Sequence, residues 1–309
     1  KGLPREIYII FISRIISAMG CFVMPLLTLI LTEKIGLPSN EAGRLISLSG
    51  LAFLIPGLIG GKLADTLGRK KVIAIFDALA VAFYIICSFM EPTINMVYMI
   101  MLAGACMSTV GPAHDSLIAD LTTPENRKSA YALSYMGWNL GFAFGPVLGG
   151  LLYKDHLSML FLGNAFSITI ALSLVLRFIK ETINKTRKEI KDASRSLEIR
   201  EEGSIFSVLA RRPILIYFAL IMFGYNFAYS QWSFMMPMHS AQNFGSEVSG
   251  QYFGMMAGFN GLVVILFTPI MTKLTHKTKN IRCMLYGGIL YAVGFGMLGI
   301  INTLAAFFM

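Results

Sequence analysis

Apolar residues in this chain come in runs of about twenty, and that pattern restricts the fold more than any motif does. A helix rises about 1.5 Å per residue, so such a run crosses the hydrocarbon layer of a bilayer, about 30 Å thick. Inside that layer no water pairs the backbone, which leaves helices or a closed barrel as spanning structures. Runs of this length without period-two alternation select helices. Nine spans are predicted, at 7–31, 44–61, 72–90, 95–118, 130–152, 158–178, 213–237, 248–271 and 283–303. Composition agrees: 14% of the residues are charged, where a soluble domain carries about 25%. The expectation is an all-α, multi-pass membrane protein.

The formal net charge of +9 could suggest nucleic acid, but the placement of the charges argues against it. Basic residues gather in alternate loops: Lys62 with Arg69, Lys70 and Lys71, then Arg127 and Lys128, then 180–212, then Lys273, Lys277, Lys279 and Arg282. Such one-sided loops predict a cell-membrane protein with a cytoplasmic N-terminus. Cys21, Cys87, Cys106 and Cys283 stand singly in apolar runs, so neither a disulfide framework nor a metal site is expected. No cleavable signal peptide is visible. The chain opens on Lys rather than Met, which predicts a trimmed start.

The segment 180–212 is the only long polar stretch and reads as a cytoplasmic linker with some interfacial helix. It follows six spans, predicting a six-helix bundle at 1–179, the linker at 180–212, and a partial second bundle at 213–309. The stretches 41–63 and 248–274 share a Gly near the start and a Lys-Leu exit, Lys62-Leu63 and Lys273-Leu274. Parallel repeats of this kind occur among transporters. Duplicated halves imply that helices ten to twelve lie outside this chain.

The stretch "GKLADTLGRKK", 61–71, reads as a short loop between the second and third spans. Gly61 and Gly68 suit a bend, Asp65 suits the positive start of the third helix, and Arg69, Lys70 and Lys71 suit anionic headgroups. A capped basic turn explains the charges but does not require an acid and two glycines at these offsets. The stretch resembles the loop signature of the major facilitator superfamily, G-x-L-a-D-r-x-G-r-k-x, with Thr66 in place of the usual basic residue. The resemblance implies two six-helix bundles related by pseudo-two-fold symmetry. It also implies that Asp65 and Arg69 join a charge network closing the cytoplasmic side. Asp120 is expected to face Arg69 there.

In "GWNLGFAFGPVLGG", residues 137–150, glycines recur at 137, 141, 145 and 149. A four-residue step drifts only about 40°, so they form one groove for a neighbouring helix. Pro146 favours a bend. Packing alone accounts for Gly137, Gly141, Gly145, Pro146, Gly149 and Gly150. The stretch is also similar to the fifth-helix signature of drug/proton antiporters in the same superfamily, which implies close contact with a helix of the other half and favours export. Those exporters place an Arg in the fourth helix; here Gly104 and Pro112 are in register but position 100 is Ile.

Ionisable residues inside spans are costly and therefore candidate functional groups. Arg14, Asp77, His114, Asp115 and Asp120 lie in the first half, each either snorkelling to the interface or part of a cluster in which Arg14 faces Asp115 or Asp77. Asp115 is the first choice for a proton-carrying acid, as the deepest, with Glu33 as the alternative. In the seventh span Tyr225, Tyr229 and Trp232 share a face with Asn226 beside them. Core packing explains each Tyr; a pocket wall explains the stripe with its amide. Asn260, in the eighth span, is a second candidate of the same kind. Nineteen methionines, Met24 among them, would suit an adaptable pocket.

These readings point to a secondary active transporter without cofactor or metal. Its partners are a small-molecule substrate, protons and the lipid bilayer, and it acts as a monomer. Proton-coupled export of small amphipathic or drug-like molecules ranks first. Proton-coupled uptake of a sugar, organic acid or peptide ranks second. A membrane-embedded lipid-modifying enzyme ranks third: adjacent residues on a helix diverge by about 100°, so His114 and Asp115 cannot readily share one site. No P-loop supports ATP-driven pumping.

Overall fold

Backbone pairing in a bilayer demands helices, and the computed structural model, which describes residues 2–153, 156–183, 209–244 and 246–298, is helical with no strand among them. The first seven helices are α1 (Arg5–Met19), α2 (Val23–Leu29), α3 (Ser39–Leu67), α4 (Arg69–Phe89), α5 (Ile94–Leu121), α6 (Pro124–Tyr153) and α7 (Leu157–Phe178). A π-helical turn, Ile30–Lys34, continues α2. Three more follow: α8 (Pro213–Phe244), α9 (Ser246–Leu274) and α10 (Asn280–Leu298). The chain divides into two compact units, Lys1–Glu189 with Val264–Thr272, and Ile190–Val263 with Lys273–Met309. Of the stretch read as a linker, Glu181, Thr182 and Ile183 pack into the first bundle, Ile183 being 8% exposed; 184–208 lie outside the described residues.

In the first unit α1 packs on α6 and α7, α4 on α5 and α7, and α3 on α5. Five stretches among the described residues are long and apolar enough to cross a membrane, namely Arg5–Thr28, α3, α4, α5 and α7. α6 is long enough, at 30 residues, but its glycines and polar Asn139, Ser134 and Tyr135 dilute its hydropathy.

The first span, expected as one helix, is broken at Gly20–Phe22. The new start at α2 exposes backbone donors that the bilayer cannot satisfy. Asn164 of α7, 2% exposed, supplies the acceptor: its Oδ1 receives the N–H of Phe22 at 3.2 Å and of Val23 at 3.4 Å. Small residues let the break approach α7. A Cβ on Gly163 would lie 2.7 Å from the Phe22 ring, and one on Gly20 would overlap Ser167.

The glycine groove of α6 faces α1 and α2 of the same bundle, which corrects the expected contact with the other half. A Cβ at Gly137 would lie 3.0 Å from the Phe11 carbonyl oxygen, one at Gly145 2.8 Å from that of Ala18, and one at Gly149 3.3 Å from Phe22 Cβ. At Gly141 it would collide with the Ile15 carbonyl. Backbone cannot yield there as a side chain would, so glycine is needed. The side chains of Pro146 and Gly150 lie outside the described residues.

Two apolar clusters form the core. One gathers Phe22, Ile30, Tyr84, Ile100 and Phe161; the other gathers Ile7, Ile73, Leu117, Ile118 and Val175 near the α3–α4 turn. The helices carry polar residues between the clusters, where no core forms.

Gly141→Val is expected to lower stability by about 1–3 kcal/mol through overpacking, read as a fall in thermal midpoint of the purified protein. Asn164→Leu, close in volume, is expected to cost about 1–3 kcal/mol by removing the acceptor of the Val23 N–H and leaving the Phe22 N–H only the Gly20 carbonyl at 2.8 Å; an unchanged midpoint would mean that the break finds other acceptors.

Candidate functional site

Two groups of functional residues emerge in the first bundle. The first lies at the α3–α4 turn. The stretch read as a loop is mostly helix: α3 runs through Leu67, and Gly68 alone separates it from α4. Gly68 makes the reversal at φ 111°, a value that favours glycine. Gly61 sits inside α3, where a Cβ would make only ordinary contact with Pro112 at 3.8 Å; the crowded glycine is Gly60, against the Thr109 backbone.

Asp65 does not cap α4, because it lies one turn back on α3 and pairs along the chain with Arg69, Oδ1 to Nη2 3.1 Å. The start of α4 is capped by Glu181, which follows α7. Its two oxygens accept the N–H groups of Arg69 at 3.0 Å and Lys70 at 3.1 Å. A carboxylate at that position satisfies orphan donors and complements the helix dipole. Sequence reasoning missed Glu181; the signal was an acid immediately after the sixth span, assigned there to the linker. Lys70 Nζ donates to the Leu176 carbonyl at 2.5 Å.

Arg69 is the centre of this group. Its Nε lies 2.9 Å from Asp120 Oδ2, and its Nη1 donates to the Ala64 carbonyl at 3.0 Å. Thr182 Oγ1 donates to the same Asp120 oxygen at 2.6 Å. Asp120 is 10% exposed and Asp65 38%, so the Asp120 contact is the desolvated one. α3, α4, α5 and the segment after α7 are thereby joined through one guanidinium.

The second group surrounds a cavity of about 520 Å³ inside the bundle. Its polar lining includes Arg14, Ser17, Asp77 and His114; its apolar wall includes Met24, Phe53, Trp138 and Phe142. These residues occupy one level because α1, α4 and α5 interrupt their apolar stripes together. Arg14 Nη2 stands 3.8 Å from Asp115 Oδ1, an ion pair too long for a good hydrogen bond. Asp115 is 64% exposed and does not line the cavity. Nor is it the deepest acid: Asp77 lies about 12 Å along α4 from Arg69, Asp115 about 9 Å from the end of α5. Glu33 is far from this group, at the opposite end of the bundle, where it accepts from the Tyr153 hydroxyl at 3.0 Å.

In the second unit Tyr225 donates to the Met284 carbonyl, and Tyr225 and Tyr229 lie 6.1 and 6.3 Å from the ring of Tyr291 on α10. The stripe is thus a contact with α10, and Tyr291 is its missed member. Asn226 donates to the Met222 carbonyl of its own helix at 2.8 Å and is exposed, as is Asn260. The Trp232 side chain lies outside the described residues.

Beside this geometry stands a family match: residues 10–309 fit the Major Facilitator Superfamily. The chain belongs to that superfamily. It is 23% identical to a "Na(+), Li(+), K(+)/H(+) antiporter" of Planococcus maritimus, over 93% of this chain and 72% of the relative. It is 24% identical to "Multidrug resistance protein 2" of Bacillus subtilis, over 97% and 75%. A crystal structure of the peptide transporter POT in complex with sulfate covers 99% of this chain and 78% of its own, at 16% identity and a TM-score of 0.61; that likeness shows the fold, an all-helical one among the described residues.

Removing Asp120 leaves the Arg69 charge without its buried partner, whereas removing Asp65 takes away a partly exposed one and leaves Asp120 in place. Asp120→Asn is expected to cost about 3 kcal/mol and Asp65→Asn under about 1 kcal/mol. Thermal unfolding of the two variants in low and high salt checks this, with the Asp65 effect the more screened.

Proposed function

We propose that the protein is a secondary active transporter that exports small amphipathic molecules in exchange for protons, working as a monomer by alternating access. The observation that carries this reading is the cavity of about 520 Å³ within the first bundle. Its size suits a drug-sized molecule, and its apolar wall with a few charged groups suits an amphipathic one. The names of the antiporter and the multidrug resistance protein point the same way. A cavity lined by charged groups inside apolar helices is costly unless it is used.

The Lys and Arg residues gathered in this loop and its alternates support a cytoplasmic position for the α3–α4 turn. The Arg69–Asp120 pair then acts as a gate element: its formation favours one access state and its rupture the other. The glycine groove binds α6 to α1, so these helices move as one body during the change. Arg14 and Asp77, facing the same cavity, are the groups through which proton uptake and substrate release are linked.

The test is transport by the full-length protein in inside-out vesicles. An imposed pH gradient, acid inside, is expected to drive accumulation of lipophilic fluorescent dyes, and Asp120→Asn to slow it several-fold when rates are compared per amount of folded protein in the vesicles. Gradient-driven movement of a single metabolite in the uptake direction, with no dye transport, would replace export by symport.

A further inference from the structure

Resting on the gate reading above, we infer that Thr182, aimed by Glu181, is the second prong of a clasp on Asp120 and sets how firmly the gate closes. Thr182 is a positioning residue: it acts on the Arg69 contact through the carboxylate they share. It lies on a short strap just beyond α7 that is buried against the bundle, with Ile179 1%, Thr182 4% and Ile183 8% exposed.

Asp120 Oδ2 is the shared acceptor. Arg69 Nε lies 2.9 Å from it, and Thr182 Oγ1 donates to it at 2.6 Å. The carboxylate is 10% exposed, so water is poorly placed to replace either donor. Hydrogen bonds to a charge in such surroundings are among the strong ones.

The two donors belong to one body. Glu181 Oε1 accepts the N–H of Arg69 and also those of Thr182 at 2.9 Å and Ile183 at 3.2 Å, while Oε2 accepts that of Lys70. One carboxylate therefore fixes both the start of α4 and the turn that aims Thr182. Gly68 leaves room for it: a Cβ there would lie 2.6 Å from Glu181 Oε2 and 2.8 Å from Cδ. In return Lys70, in the first turn of α4, donates to the Leu176 carbonyl in the last turn of α7. Each helix thus caps the end of the other.

These reciprocal caps bind the start of α4, the end of α7 and the strap into a unit. Asp120 sits on α5, outside it. When the ends of α4 and α5 part, Arg69 and Thr182 leave Asp120 together. Losing the Thr182 hydroxyl therefore weakens the paired state while leaving every charge in place.

The experiment reads which face of the membrane reaches the cavity. Cys21 lines it. In full-length protein with Cys87, Cys106 and Cys283 replaced by Ala, a membrane-impermeant maleimide labels Cys21 in inside-out and in right-side-out vesicles. Thr182→Val keeps the volume and loses the donor. It is expected to raise the ratio of the inside-out to the right-side-out rate about tenfold, faster from the cytoplasmic face and slower from the other. Thr182→Ser is expected to hold the ratio within about twofold of wild type, and Glu181→Gln to follow Thr182→Val. A residue that only supports the bundle would, when replaced, raise both rates. That result, an unchanged ratio, or a shift toward the opposite face overturns the inference. Asp120→Asn separates the failures. If it shifts the ratio and Thr182→Val does not, only this inference falls; if neither shifts it, the gate reading falls as well. A shifted ratio without dye export overturns only the export reading.

Discussion

Arg69 places a guanidinium, 6% exposed, where α3, α4 and α5 converge. A charge so far removed from water persists only with close partners, and the partners here come from more than one segment. Asp65 and the Ala64 carbonyl come from the last turn of α3, Asp120 from the end of α5, and Thr182, through Asp120, from beyond α7. The same segment carries Glu181, which closes the start of α4. The order of the bundle at this end therefore rests on one desolvated charge. Because the partners lie on separate segments, a shift of any one segment breaks a specific bond, which is the property a two-state gate requires.

The cavity follows from the same economy of charge in an apolar medium. α1, α4 and α5 could have continued their apolar stripes from one core cluster to the other. Instead Arg14, Asp77 and His114 occupy one level, and side chains that cannot form a dry core leave a space about the size of a small organic molecule. At the other end of α1 the break at Gly20–Phe22 meets Asn164, so the irregular backbone is paired within protein rather than exposed to lipid. The glycines of α6 hold α1 close on the remaining side.

Much of the architecture was legible in the chain because its causes are local. Span positions follow from run length: α4, α5, α7 and α9 begin and end within about three residues of expectation, whereas α6 starts six residues early, α8 ends seven late, and α3 overruns at both ends. There the motif itself is helical: nothing between Lys62 and Leu67 stops a helix, and Gly68 alone provides the turn. The groove on α6 was legible from the four-residue step, but its partner was not, since periodicity names a face and never the surface opposite. Tyr225 and Tyr229 illustrate the same limit: their spacing placed them on one face, and only the position of Tyr291 made that face a helix contact.

What the sequence determined by itself is the solvent and the class: apolar runs of bilayer length, basic loops on one side, and a loop signature that marks the superfamily. These depend on residues near one another in the chain. Which charges meet was decided by the tertiary structure alone. Glu181 reaches the start of α4 across more than a hundred residues of chain, Asp77 rather than Asp115 faces the cavity, and Asn164 answers a break in the first span. The physical reason is that a charge or a backbone donor in an apolar medium is defined by its nearest partner, and that partner is chosen by how helices pack.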